Sequence, residues 1–114
     1  MKYHIKRIYD EANSNDGYRV LVDRLWPRGV SKQKAALDEW CKAIAPSDEL
    51  RKWFNHDPAK FQEFATRYDV ELSNNPEVKV FEQHVKNVAT VTLLYSAHDE
   101  ALNQAVVLQA YLSK

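Results

Sequence analysis

Residues 88–97 read "VATVTLLYSA", and their reading decides the fold. Apolar and β-branched side chains follow one another almost without a break, so no face is left over for solvent. Such a run predicts a strand buried on both faces at the centre of a sheet. On its carboxyl side, "DEALNQAVVLQAYL" predicts an amphipathic helix with Leu102, Ala105, Val106 and Leu112 turned inward. On its amino side, "EVKVFEQHVKN" predicts a short helix, set off by the breaker "NNP" at Asn74 to Pro76.

Further outward, Phe61, Phe64, Ala65, Tyr68 and Leu72 keep the i, i+3, i+4, i+7 spacing of one apolar helix face. Asp57 and Pro58 read as N-cap and first position of that helix, and Ser47 as the cap of "DELRKWF". The segment "ALDEWCKAIAPS" is ambiguous. Leu37, Trp40, Cys41 and Ile44 match helical spacing, whereas a strand would alternate Asp38, Trp40, Lys42 and Ile44 on one face. Periodicity favours the helix. Ser31 caps a short turn through "KQKAA".

Near the amino end, "YRVLVDRL" carries consecutive Val20, Leu21 and Val22 and predicts a second inner strand, entered through a positive-φ turn at Asp16-Gly17. "YHIKRIY" predicts a more polar strand at a sheet edge. The loop between these two strands is short for a parallel crossover, which leaves an antiparallel pairing open. Strands interleaved with helices define the α/β class: a single compact domain over residues 1–114, with a small central sheet, mostly parallel or mixed, flanked by helices in Rossmann-like layering.

The totals limit what such a domain does. Sixteen Lys and Arg balance sixteen Asp and Glu, so the molecule has no net field to gather nucleic acid or an anionic membrane, and any basic site is local. Cys41 is the only cysteine, which excludes an intramolecular disulfide and a thiolate zinc cluster. No segment approaches the ~20 apolar residues of a membrane span, and "MKYHIKRIYD" lacks the apolar core of a signal peptide. A cytoplasmic location is expected.

In an open α/β sheet the ligand crevice lies beyond the carboxyl ends of the strands. Two strands here end in polar clusters: Val22 leads into Asp23, Arg24, Trp26 and Arg28, and Leu94 leads into Tyr95, Ser96, His98, Asp99 and Asn103. Arg24 and Arg28 offer planar donor forks to an anionic ligand, Pro27 stiffens the loop between them, and Trp26 offers a stacking face. Asp99 and Asn103, four apart at the expected start of the last helix, would share a face. The same arginines could instead pair with Asp23, Asp57 or Asp99 to pin loops, Trp26 could plug the core, and Asp57 and Asp99 could serve as caps. His56 and His98 each adjoin an aspartate, so either could serve as a proton carrier. His4, His56, His84 and His98 show no paired metal spacing, Cys41 reads as a small buried residue, and no phosphate loop or nucleophile elbow is present.

"DGYRVLVDRLWPRGVSK", "LDEW", "APSDELRKWFNHDPAKFQEFATRY" and "VTLLYSAHDEALNQAVVLQAYL" together closely resemble the YeaO-like family of small bacterial proteins, a branch of a larger domain family of unassigned function. The resemblance covers almost the whole chain. It implies recurrent polar positions at Asp23, Arg24, Arg28, Asp38, Trp40, Arg51 and Trp53, and at His56, Asp57, Tyr68, Tyr95, Asp99 and Asn103. Other branches are similar in having an arginine-proline loop after a strand and a Cys-His-Arg triplet opening the last helix. Leu102 to Gln104 stand there instead, so cysteine chemistry is not implied for this chain. The wider family also favours an extended reading of residues 36–45.

The leading expectation is a cleft for a small anionic ligand, a nucleotide or phosphorylated metabolite. Arg24, Trp26, Arg28, Tyr95 and Asn103 would bind it, and His56 and Asp99 would serve any proton transfer. No cofactor or metal is expected, and turnover is left open. The alternative is a non-enzymatic protein- or nucleic-acid-interaction module using the Trp and Arg residues of the loop, although zero net charge argues against tight nonspecific nucleic-acid binding. In a third reading the arginines only brace the fold.

Overall fold

The computed structural model describes residues 2–114. Its frame is one four-stranded, wholly parallel sheet built from β1 (Lys2–Arg7), β2 (Tyr18–Leu21), β3 (Glu39–Trp40) and β4 (Thr90–Tyr95), in the order β1-β4-β2-β3. The strand inside residues 88–97 is thus central, with β1 and β2 as its neighbours, and five of its six residues are buried. The polar first strand lies at an edge, with Lys2 and His4 exposed and Lys6 paired to Asp16.

The helices are α1 (Lys32–Ala35), α2 (Asp48–Phe54), α3 (Phe61–Ser73), α4 (Glu77–His84) and α5 (Gln104–Leu112). α2 to α5 cover one face of the sheet, where Phe54, Phe64, Tyr68, Phe81 and Leu108 pack on Val20, Val91 and Leu93. The other face is smaller. There Leu21 and Leu94 meet Ile8, Val30 and Ala35, with Trp26 and Trp40 packed alongside. Its cover is therefore mainly the loop after β2, with the single turn of α1.

β1 and β2 run parallel, and the antiparallel option falls away because β4 lies between them. Recrossing a six-residue strand needs about 20 Å, and residues 8–17 can span up to ~33 Å, so no helix is required. That loop is fastened to the sheet instead. The Asp16 carboxylate accepts from Lys6 Nζ at 3.1 Å and from Arg19 Nη1, and the Asp16 carbonyl accepts from Thr92 Oγ1 at 2.6 Å. Gly17, at φ +66°, then turns the chain into β2; a Cβ there would stand 2.4 Å from the Thr90 carbonyl oxygen.

Residues 36–45 are not the helix that periodicity favours. Ala36 ends α1 in the left-handed conformation, at φ 48°. Asp38 N then donates to Arg19 O and Cys41 N to Leu21 O, both at 2.9 Å, which seats Glu39–Trp40 as an edge strand on β2. A 3-10 turn over Lys42–Ile44 follows. Sheet pairing satisfies the backbone that a helix would otherwise satisfy.

The last helix also starts later than its sequence suggests. Asn103 is its N-cap, so Asp99 lies in a preceding turn and does not share a helix face with Asn103. Its buried positions are Ala105, Val107, Leu108 and Leu112, with Val107 in the place expected for Val106; Leu102 precedes the helix and is half-buried.

Candidate anion-binding cleft

The chain leaves β2 toward α1 on the small face and leaves β4 toward α5 on the large face. The carboxyl ends of these adjacent strands therefore diverge, and a crevice opens where the connections switch sides. A cleft of about 440 Å³ occupies this place, lined by Asp23, Arg24, Trp26, Arg28, Arg51, His56, Ser96 and Gln104 together with Tyr9, Pro46, Phe54 and Phe64.

Asp23 forms its floor and is buried. Its Oδ2 accepts from Ser96 N at 3.0 Å and its Oδ1 accepts from Gln104 Nε2, tying the ends of β2, β4 and α5 together. Burial pushes the Asp23 carboxyl above its ordinary value, opposed by the hydrogen bonds from Ser96 and Gln104 and by the charge of His56. The Asp23 carbonyl accepts from Trp40 Nε1 at 2.8 Å.

The cations are held in different ways. Arg24 donates through Nε to Pro46 O at 2.9 Å and through Nη2 to Ala45 O at 3.5 Å, so part of its fork braces the loop before α2. Its partners are carbonyls and not the aspartates that bracing by ion pairs would use. Arg28 is exposed, and its backbone carbonyl accepts from the Tyr9 hydroxyl at 2.9 Å. Arg51 comes from α2, where Nη2 donates to Asp48 Oδ1 at 2.6 Å; its Nε is buried without a hydrogen-bond partner among the described residues. Hydrogen bonds from Arg51 and Lys52 pull the Asp48 carboxyl down to about 2.

Trp26 stands at the wall with a fixed ring. Its Nε1 donates to Val30 O at 2.7 Å, and its ring meets Trp40 edge-on at 5.3 Å. It packs against the smaller core and lines the cleft as well. His56 follows the αL cap of α2 at Asn55 and is itself left-handed, at φ 56°. Two successive left-handed residues turn the chain sharply and set this imidazole at the cleft.

Four of the seven candidate site residues, Arg24, Trp26, Arg28 and His56, thus line one cleft, and three do not. Asp99 is exposed and closes a turn: its Oδ1 accepts from Ala101 N and Leu102 N, both at 2.9 Å, and these bonds hold its carboxyl below the ordinary range. Asn103 is fully buried as the cap of α5, accepting from Val106 N at 3.1 Å and donating to Asp99 O at 2.8 Å. Tyr95 is buried in the larger core, and burial raises its hydroxyl. Residue-by-residue reading gave no cleft role to Arg51 or Gln104. Arg51 sits on a helix far from either strand end in sequence, and Gln104 reaches the floor only because α5 begins at that residue.

Elsewhere, the Tyr18 hydroxyl donates to Glu39 Oε1 and lies 3.0 Å from His84 Nε2. Burial and the Glu39 hydrogen bond raise it to about 12. Cys41 is half-buried, and burial with the neighbouring Glu39 charge raises its thiol to about 11, away from nucleophilic use. Among the described residues there is no cluster of His, Cys, Asp or Glu suited to a metal ion, and no helix is long and apolar enough to cross a membrane.

Fold and cleft define a small open-sheet α/β protein with arginines gathered at the strand-switch crevice. The chain belongs to the family described as the inactive DUF488-N3 subclade, whose model matches residues 2–114. Over 112 residues it is 44% identical to the uncharacterized protein YeaO of Escherichia coli K12, covering 98% of this chain and 97% of that one. Uncharacterized proteins of Mycobacterium bovis and Mycobacterium tuberculosis are each 37% identical over 112 residues, covering 98% of this chain and 94% of theirs. No solved structure matches the chain. The YeaO-like resemblance read from the sequence is borne out.

Proposed function

We propose that the protein binds a small anionic ligand, of the nucleotide or phosphorylated-metabolite kind, in the cleft beyond β2 and β4, in the cytoplasm. The observation that carries this reading is the convergence of Arg24, Arg28 and Arg51 with His56 on one crevice whose only lining carboxylate among the described residues, Asp23, is already hydrogen-bonded. An anion there meets unspent donors and little opposing charge. The volume, at the smaller end of ligand sites, suits a sugar phosphate or mononucleotide. The word "inactive" in the family's description supports binding without turnover. His56 lines the same cleft and offers an imidazole N–H to a bound anion.

The interaction-module reading needs a free aromatic platform, and the tied indole of Trp26 supports the cleft over it. Arg28 provides the sharper test, because Arg24 also braces the fold. In a thermal-shift screen against nucleotides and sugar phosphates, a ligand at 100 times its dissociation constant adds about 2.7 kcal/mol, which moves the midpoint by several degrees. Arg28→Ala is expected to leave the ligand-free midpoint unchanged and to remove most of that shift. An undiminished shift in the variant sinks the proposal.

A further inference from the structure

The geometry points to Gln104 as the residue that makes the cleft prefer a hydroxyl-bearing phosphate ester over a bare anion, with Asp23 as the residue that positions it; we propose this specificity as a deepening of the anion-binding reading, on which it rests. Gln104 is the first residue of α5, half-buried, and lines the cleft. Its Nε2 donates to Asp23 Oδ1, while Asp23 Oδ2 is occupied by Ser96 N.

The two ends of a side-chain amide differ in kind: the nitrogen only donates and the oxygen only accepts. Against a carboxylate only the nitrogen end is attractive, since the flipped amide would set oxygen on oxygen. Asp23 is buried and tied to the β4 end, so it fixes which way the amide faces. The remaining Gln104 Oε1 accepts no hydrogen bond among the described residues and is not a buried unpartnered atom, so it is left accessible on a residue that lines the cleft. The arginines supply donors only, and the unoccupied Gln104 carbonyl oxygen supplies an oriented acceptor. A ligand matching both carries negative charge and, beside it, an O–H to give. A simple alkyl phosphate, as its dianion, satisfies the arginines and leaves this acceptor unmatched.

The test titrates the full chain by calorimetry with glycerol 3-phosphate and with propyl phosphate, which share the phosphate and the three-carbon frame and differ by two hydroxyls, with inorganic phosphate as a third probe. The wild type is expected to bind glycerol 3-phosphate about tenfold more tightly than propyl phosphate, the worth of one well-placed hydrogen bond. Gln104→Leu is expected to bring that ratio near one while leaving propyl phosphate binding within about twofold, and Asp23→Asn, which frees the amide to turn, to lower the ratio as well. A merely structural role for Gln104 would weaken both esters alike and leave the ratio unchanged, which overturns the proposal. So does a wild-type ratio near one, a result that needs no variant to fold. If none of the three phosphates binds, this inference fails, and the anion-binding reading fails with it when the nucleotide screen is also negative; if all three bind equally, only the inference falls.

Discussion

At the scale of the residue, His56 carries the clearest mark of a site kept against local preference. A non-glycine residue in the left-handed region costs about 1–2 kcal/mol, and His56 follows another such residue, Asn55. Asn55 is explained by its role as helix cap; His56 is not, and its ring faces the cleft. His56→Gly is therefore expected to stabilise the ligand-free protein by about 0.5 kcal/mol, the relieved strain less the greater entropy of an unfolded glycine, while reducing ligand-induced stabilisation. Urea unfolding with and without ligand measures both, and a less stable variant refutes the strain argument. The two buried aspartates make a second pair of expectations, of opposite sign. For Asp16, burial would raise the carboxyl, but hydrogen bonds from Asn13 N, Lys6 and Arg19 outweigh it and hold the carboxyl below its ordinary value. Its stabilisation is thus present above the unfolded carboxyl range near ~4 and lost as the pH falls through the folded value. Asp23 is raised, so its contribution is full below ~4 and is lost as the pH rises through its folded value. Asp16→Asn should cost about 3 kcal/mol at pH 7, because Arg19 stays buried without its carboxylate, and progressively less toward acid. Asp23→Asn should flatten the fall in stability as the pH rises above ~4. Stability-against-pH curves for the two variants decide both, and parallel curves would contradict the assignment.

At the scale of the element, the start of α5 separates frame from site. Asn103 makes the cap bond to Val106 N and is fully buried, so Asn103→Ala is expected to cost about 2 kcal/mol, one part from the cap and one from the orphaned Asp99 carbonyl. Asp99→Ala touches only an exposed turn outside the cleft and is expected to leave the ligand-induced shift intact. A lost shift in Asp99→Ala would return that residue to the site. The same element shows where sequence stops being informative. Every position from Ala105 to Leu108 is apolar, so periodicity cannot choose the helix face or its first turn, and the start was read too early. Elements with sharp caps were legible: Ser31 and Ser47 cap α1 and α2 as their type and place predict, whereas Asp57 caps the 3-10 turn Pro58–Lys60 and not α3 itself, which begins at Phe61 behind Lys60. The segment around Trp40 was not, because its state is set by pairing with Arg19 and Leu21, which lie nearly twenty positions away. Arg24, Trp26, Arg28 and His56 could be found because strand ends and breakers mark them. Arg51 and Gln104 required knowing which helix packs beside which strand.

At the scale of the whole molecule, the two faces of the sheet are unequal, and the cleft sits where they meet. The large face is closed by four helices, the small one by a loop and a single helical turn. Burial sets how much free energy an opening must cost, so the small face should open first. Amides of Leu93 and Leu94, in a strand paired on both sides, are expected to exchange with solvent only on global unfolding. Those of Ala35 and Ala36, bonded only within α1, should exchange by a local opening several kcal/mol cheaper. The loop that lids the small face also carries Arg24, Trp26 and Arg28 into the cleft, so ligand binding and closure of that face share the same residues. A ligand that ties down this loop should therefore slow exchange at Val30, whose amide donates to Pro27 O, and at Ala35, while leaving Leu93 changed only by the gain in global stability. Native-state hydrogen exchange with and without a bound phosphate ester measures this directly. Protection confined to the β4 amides would mean that the ligand sits elsewhere. Protection spreading through the loop and α1 would place it at the divergence of β2 and β4, where this fold brings its unspent cations together.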